Sequence, residues 1–575
     1  MAKTYHEVCP YHTMLVLDTA QSIGGTWAEE RLYPGLKTNN IIGSYEFGDF
    51  PMTPEHFAVQ PGQHIPGAVV HEYLCRFAKE FDLTSRIRLR TKVESAEMRE
   101  GGDWLLRVRK MGVGSHKIST LRARRLVVAT GLTSEPHIPD YEGRESFKGK
   151  FLHSRQLRDQ ANDIRLSKEV VVVGANKSAW DTCYTAAMAG AHVSMVIRPG
   201  GGGPSWVWPV LLPFGLSLQK MATTRFFTLF EPCIWDEGSG GFPWVRRLLH
   251  RTWLGRQLVK WFWRTLAIPV LSANGYSTHP ELAKLKPWSS TFWMGNSLGV
   301  HNYETNWFEL VKQEKINVHI GDVTFLSGRK VFLSNGAVLL ADTFVSCTGW
   351  KMTPPIEFLP ECIIAELGMP GLGAPEGSFL LQQAMEEILK AVPELRSSPG
   401  RTLPKSSVPI VSTRDSKTST PFRLYRFMVP PAPRMLALRN IAFIGSHLAL
   451  NAITVAQAQA LWITAFFEDG IPHLERSSFD IKEIQYQTIF QSEYCRLRHP
   501  PTGGGAGERC PDLVFDGLLY TDLLLRDVGL NNFRKRRWWQ ELFHRYFPKD
   551  YAGMTTDLVS RLRSAHRVQH GGYTS

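Results

Sequence analysis

Lys168–Gly200 reads KEVVVVGANKSAWDTCYTAAMAGAHVSMVIRPG. Four consecutive valines, Val170 to Val173, run into Gly174, and a short loop leads to good helix formers from Ala179 to Ala189. Gly190 stops that run, and a second apolar strand, Val193 to Ile197, ends at Arg198. A parallel strand covered on both faces reads as an uninterrupted β-branched run, and a glycine directly after it permits the turn that aims a helix N-terminus at a phosphate. The stretch is therefore a βαβ unit whose loop is placed for a pyrophosphate. Set against the dinucleotide fingerprint G-x-G-x-x-G, Gly174 is the first glycine, Asn176 holds the second place and Ala179 the third, with Lys177 and Ser178 between them. One glycine of the three is kept, so context carries the reading: the strand before, the helix after and the cation at the end of the second strand. An acidic residue there favours the free ribose hydroxyl of NAD, whereas Arg198 pairs with a 2′-phosphate, and NADPH is the expected cofactor. An ordinary crossover with a surface arginine is the competing reading.

The chain has 575 residues, which predicts two to four domains. Hydrophobic residues at 43% and charged residues at 21% are those of a globular protein. The net charge of +13 is not gathered into long Lys/Arg runs, and no zinc-finger or RNP-like string is present, so a phosphate-rich cofactor is a better partner than nucleic acid. Eight cysteines stand far apart with no C-x-x-C, which argues against a disulfide framework, a metal site and a dithiol redox centre, and fits a reducing compartment. The first residues, MAKTYHEVCPYH, have no apolar core of a secretory signal, and a cytoplasmic protein is expected, with membrane association as a variant of that reading. The longest uncharged stretch, Pro199 to Gln219, is broken by prolines and glycines and cannot form a membrane-spanning helix.

Residues 2 to 27 read as the second half of another dinucleotide unit: a helix to about Val8, a turn at Cys9-Pro10, and a strand from Met14 to Leu17 ending at Asp18, where an acidic residue binds a ribose diol. SIGGTW follows, and Gly24 and Gly25 let backbone pass close to a flat ligand. The first strand and glycine loop of that unit are expected upstream of Met1. The chain as it stands would then lack its own flavin phosphate site, through an upstream coding segment or as a degenerate protein that binds FAD weakly.

The run D-x5-GGTW, then Arg31–Asn40 (RLYPGLKTNN), Tyr45–Met52 (YEFGDFPM) and His64–Leu74 (HIPGAVVHEYL) resembles the FAD-binding domain of flavin-containing monooxygenases, in particular the fungal branch of secondary metabolism. The resemblance continues through Leu126–Gly131 (LVVATG), Phe147–Leu157 (FKGKFLHSRQL), Ser346–Trp350 (SCTGW) and the strand and helix around Gly445. It spans roughly residues 2 to 470. It implies an α/β fold of two Rossmann-like domains, the FAD domain discontinuous and without its first strand. Residues 1–165 and 351–470 form that domain, 166–350 the NADPH domain with a helical, aromatic-rich insertion at 200–300, and 471–575 a C-terminal extension. In chemistry it implies a single-component monooxygenase in which NADPH reduces FAD, the flavin captures O2 as a C4a-(hydro)peroxide, and a small organic molecule is oxygenated, a polyketide or terpenoid intermediate being the guess.

By the same resemblance Asn39 sits at the flavin C4a edge as the catalytic amide, with Asn40 second. Asp18, Gly25, Thr26, Trp27, Val93, Thr130, Gly131 and Gly445 contact FAD. Gly174, Asn176, Lys177, Ser178, Ala179 and Arg198 contact NADPH. His153 is expected to be a hinge residue rather than an acid or base, and Leu157 stands where ketone-inserting members want a tryptophan, which weighs against that subclass. The alternatives are an NADPH-dependent flavoprotein reductase, which usually needs a cysteine pair, and a non-catalytic, membrane-associated flavoprotein-like protein. Trp244 to Leu266 reads as a basic amphipathic helix that packs as a cap on the main domains or, alternatively, lies on a membrane surface. Residues 395–420 read as an exposed loop and Thr502–Glu508 as a glycine-rich one. The basic, aromatic stretch after it has no reading from sequence, and neither does the oligomeric state.

Overall fold

The computed structural model describes the chain except residues 113–116, 213–214, 216, 236–241, 371–378, 400–421, 476–478 and 572–575. The helix at the start is Ala2–Val8. β1 (Val16–Leu17) lies parallel to β2 (Ile87–Arg88), and the pairing runs on as the Asp18 amide donates to the Arg88 carbonyl at 3.1 Å. β2 stops short of the next strand because Arg90 takes φ +53 and turns the chain. That next strand is Thr91–Met98, which heads an antiparallel ladder with Trp104–Lys110 and Ile118–Ala123. β3 (Leu126–Val128) ends at the Thr130–Gly131 turn, where Gly131 has φ +63.

β4 (Lys150–His153) opens the second domain. β5 (Glu169–Val173), α1 (Lys177–Met188) and β6 (His192–Ile197) are the expected βαβ unit, with the helix beginning two residues before Ala179. Val170 and Val172 pack on the α1 side with Trp180 and Ala186, while Val171 and Val173 pack on the opposite face with Tyr141 and Phe344. Both faces of β5 are therefore covered, and each buried valine contributes about 1.5 to 3 kcal/mol relative to exposure.

The insertion holds α2 (Pro243–Arg251) and α3 (Trp253–Asn274). The single helix expected over 244–266 is thus two. Thr252 is extended, and its hydroxyl accepts the Gly255 amide at 3.0 Å, which caps α3 and ends α2. β7 (Ile316–Ile320) and β8 (Thr343–Ser346) complete an all-parallel sheet in the order β4, β8, β5, β6, β7.

β9 (Ile441–Phe443) returns to lie parallel beside β3, and α4 (Ala452–Phe467) follows, almost wholly buried. Among the described residues β1 pairs with β2 and β3 with β9, so the flavin-side parallel sheet consists of two pairs. The C-terminal extension is not peripheral. Its helices Ile481–Arg498 and Gly517–Asp527 share one hydrophobic core with α4 and the insertion. Buried ion pairs lock it there: Arg498 with both oxygens of Glu231 at 2.5 and 2.7 Å, Arg426 with Asp527 at 2.8 Å, and Arg225 with Asp522 and with Glu541, the last at 3.2 Å. The glycine-rich loop is packed rather than open, since a Cβ at Gly505 would stand 2.5 Å from the His499 carbonyl oxygen. α5 (Trp538–Phe543) lies further along the extension. Of the loop expected over 395–420, residues 400–420 lie outside the described residues.

Candidate active site

The end of β5 is shaped for a close backbone approach. Gly174 has φ +143, and a Cβ there would lie 2.6 Å from the Cys347 carbonyl oxygen, so this turn excludes any side chain. Asn176 is extended, its carbonyl accepts the Ala179 amide at 2.8 Å, and its side chain makes no cap. The first amides of α1, around Lys177 and Ser178, are thereby left for an anion. Arg198 is exposed at the end of β6, its Nε 3.1 Å from where a Cβ of Gly201 would be.

Lys177 turns inward from that loop. Its ammonium meets Asp181 Oδ1 at 2.6 Å and Asn302 Oδ1 at 3.0 Å. Buried Asp181 also accepts the Tyr33 hydroxyl at 2.6 Å and the Tyr303 hydroxyl at 2.7 Å. Burial and the Asp181 charge push both phenols well above their ordinary range, so they stay protonated as donors. Asn302 completes the link by donating to the Thr38 carbonyl at 3.0 Å. Residues on α1 are thus tied to the strand Lys37–Ile41 that carries Asn39. Sequence reading missed Asp181, Asn302, Tyr33 and Tyr303: the i, i+4 spacing of Lys177 and Asp181 signals only that pair, and every other link of the group joins residues more than a hundred apart.

The two asparagines differ sharply. Asn40 Nδ2 donates to the Leu450 carbonyl at 2.9 Å, which pins this strand against the turn after Gly445. Asn39 Oδ1 is buried and has no partner among the described residues. Neither ring nitrogen of His447, two residues past Gly445, has a partner among the described residues, while the His64 ring, on the strand paired with Lys37–Ile41, faces the Thr38 and Asn40 backbone. Burial lowers the pKa of His64 and brings that of His447 down to about 4, so both rings are neutral. Unpaired buried polar atoms cost about 1 to 3 kcal/mol each. The unpartnered Asn39 and His447 atoms lie on two segments that the Asn40–Leu450 hydrogen bond ties together, and such atoms suit a polar, flat group.

Of the other flavin-side segments, the Gly25–Trp27 turn meets the chain just past Gly131. Gly24 has φ +129, and a Cβ there would stand 2.9 Å from the Trp27 carbonyl, which forces the tight turn Gly25–Trp27. The Thr26 and Thr133 hydroxyls meet at 2.8 Å, so this turn touches the segment just past Thr130 and Gly131. Trp27 Nε1 donates to the Tyr45 hydroxyl at 2.9 Å. Gly25, Gly131 and Gly445 each open onto free space beyond the α-carbon. Asp18 accepts the Ala20 amide at 2.9 Å, and burial raises its pKa. Val93 lies in the strand after β2, next to a register shift before Ser95. These features fit a dinucleotide with a flat ring system.

Arg31 stacks on Trp350 at 5.1 Å, and burial followed by repulsion from Arg155 brings its pKa down to about 10. His153 is buried with both nitrogens engaged: Nδ1 accepts the Arg155 amide at 3.1 Å and Nε2 meets the Gly349 carbonyl at 3.0 Å. It ties the end of β4 to the Ser346–Trp350 crossing and has no nitrogen left for proton transfer. A cleft bounded by Gly43, Ser44, Asn451, Thr454 and Arg545–Pro548 leads off near the Asn39 strand. Glu231, His499 and Asp516 are buried within 4.8 Å of one another, a spacing that fits a metal, but Arg498 already holds both Glu231 oxygens.

The profile described as flavin-binding monooxygenase-like matches residues 17–237. The FAD-dependent monooxygenase rstn6 of Aspergillus nomiae NRRL is 34% identical over 97% of this chain and 96% of its own length. An FAD-dependent monooxygenase of Pyrenophora dematioidea is 35% identical over 93% of this chain and 96% of its own. Among solved structures, the polycyclic ketone monooxygenase of Thermothelomyces thermophila superposes with a TM-score of 0.55 at 15% identity, covering 91% of this chain and 85% of that one. Cyclohexanone monooxygenase of Rhodococcus sp. Phi1 bound to NADP+ does so with 0.54 at 17% identity, covering 92% and 94%. These two share the fold of two Rossmann-like domains. From this agreement along nearly its whole length, the chain belongs to the flavin-binding monooxygenase-like family and is an FAD-dependent monooxygenase acting with O2 on a small molecule.

Proposed function

We propose that this protein uses NADPH and O2 to oxygenate a secondary-metabolite intermediate of polyketide or terpenoid type. The observation that carries the reading is the unpartnered Asn39 carbonyl oxygen, on a strand joined through Asn302 to Lys177 at the start of α1. Bound FAD supplies hydride acceptance and oxygen activation. The chain's own residues hold and shield it. Arg198 pairs with the 2′-phosphate of NADPH, the first amides of α1 face its pyrophosphate, and Gly174 admits the backbone approach. Asp18 accepts a ribose hydroxyl of FAD, the Val93 backbone faces the adenine, and Gly25, Thr26, Trp27, Thr130, Gly131 and Gly445 border the ring system. Asn39 would border the flavin edge with a neutral amide, and Asn40 fixes that strand. Leu157, buried in the core beside α1, stands where ketone-inserting members want a tryptophan, which weighs against that subclass.

A membrane contact at 244–266 belongs to the same reading, supported by apolar side chains that α2 and α3 leave exposed. Among the described residues no helix is long and apolar enough to cross a membrane, so such contact is peripheral. The oxygenase reading is tested by mixing FAD-loaded protein with NADPH: bleaching of the yellow chromophore and its return with O2 are expected, and an unreduced flavin would contradict it.

A further inference from the structure

α3 carries two apolar faces. Gly255, Val259, Trp263 and Val270 are buried, whereas Leu254, Leu258, Trp261 and Ile268, spaced by four, three and seven residues, form an exposed stripe on roughly the opposite side. Trp261 is 65% exposed and Trp253, at the helix start, 69%. α2 adds Trp244 and Leu248, also exposed. From Pro243 to Asn274 there are six Lys or Arg residues and no Asp or Glu. Arg247, Arg251 and Arg264 of these are exposed.

The basic, aromatic stretch of the C-terminal extension joins this surface. Arg536 and Arg537 are exposed, and α5 behind them presents Trp538 (72% exposed), Trp539 and Phe543. Aromatic rings connect it to α3: Phe543 lies 5.4 Å from Phe226, Phe226 5.5 Å from Phe230, and Phe230 stacks at 4.0 Å on Phe262, next to Trp261. The fold therefore brings two tryptophan-rich, cationic helical elements, nearly three hundred residues apart in sequence, onto one strip. Soluble surfaces seldom cluster so many exposed aromatic and aliphatic side chains with exposed cations. Tryptophan at an apolar–polar boundary with flanking Arg and Lys is the pattern that settles into the interface of an anionic bilayer.

We propose that α5 and its preceding arginines are the second leg of a membrane-docking face whose first leg is α2–α3, and that its partner is an anionic lipid bilayer. The inference rests on the membrane contact proposed for 244–266 and extends it to the C-terminal extension. The segment directly after α5, Arg545–Pro548, borders the cleft near the Asn39 strand, so the docked face stands beside that cleft.

Sedimentation of the full chain, loaded with FAD, with vesicles of phosphatidylcholine alone or with phosphatidylserine tests it. Binding to the anionic vesicles that weakens in salt is expected. The pair Trp253→Ser/Trp261→Ser and, separately, the pair Trp538→Ser/Trp539→Ser should each lower partitioning by roughly ten-fold, as loss of one or two buried aromatics implies. NADPH-dependent flavin reduction in solution should be unchanged in both, which reports that the variants fold. Wild-type binding that the α5 pair leaves intact would overturn this proposal while the 244–266 contact stands. No wild-type binding would overturn that contact as well. Loss of a dimer on gel filtration in these variants, without a change in lipid binding, would assign the face to a second copy and overturn the lipid partner.

Discussion

Asn302 donates from Nδ2 to the Thr38 carbonyl at 3.0 Å while its Oδ1 accepts from Lys177. One side chain from the far end of the insertion thus couples the first turn of the NADPH-side helix to the residue before Asn39. Asp181 is the hub of the same group, with three donors on its two oxygens.

Asp181→Ala should leave an ammonium and two phenols without their acceptor and cost about 3 kcal/mol, the scale for removing one partner of a buried pair. Denaturant unfolding checks this, and Asp181→Asn, which keeps an acceptor, should cost less. A loss under about 1 kcal/mol for the alanine variant would remove the hub from the account.

Arg198→Ala tests cofactor choice. One charge-assisted contact is worth about 1.5 to 3 kcal/mol, so KM for NADPH should rise about ten-fold or more with little change for NADH. Equal effects on both cofactors would show that Arg198 does not read the 2′-phosphate.

How far such roles were legible from sequence depended on range. The βαβ unit around Val170–Val173 was legible because its signals are local: an unbroken apolar run, a glycine at the turn, and a cation at the next strand end. The break at Thr252 was not, because a capping hydroxyl inside a continuous amphipathic pattern does not interrupt the pattern. Nor was the role of the C-terminal extension, since Arg498, Asp522 and Asp527 find their opposite charges only through tertiary packing. In the same way the resemblance favoured Asn39 over Asn40, but only the Leu450 contact shows how the two amides differ.

Asp516 gives a pH-dependent expectation. Burial, with the Glu231 charge beside it, raises its pKa to about 8, and Trp235 donates to it at 3.1 Å. The native state therefore holds a proton that the unfolded chain releases near the ordinary carboxyl value of 3.8. Its stabilising share is full below that value and is lost as pH rises towards 8. Thermal unfolding midpoints should fall between pH 6 and 8, and Asp516→Asn should flatten that fall. A variant with the wild-type slope would contradict the buried proton.

The most direct test of the central claim, that Asn39 serves oxygen transfer rather than structure, is the fate of reducing equivalents in Asn39→Asp. The FAD-loaded variant should be reduced by NADPH at close to the wild-type rate. On exposure to O2 it should then return its electrons as hydrogen peroxide, because a fixed negative charge opposes the charge developing on bound oxygen. Peroxide released per NADPH consumed, measured beside wild type, is predicted to rise to near equivalence, and a ratio unchanged from wild type would contradict the account.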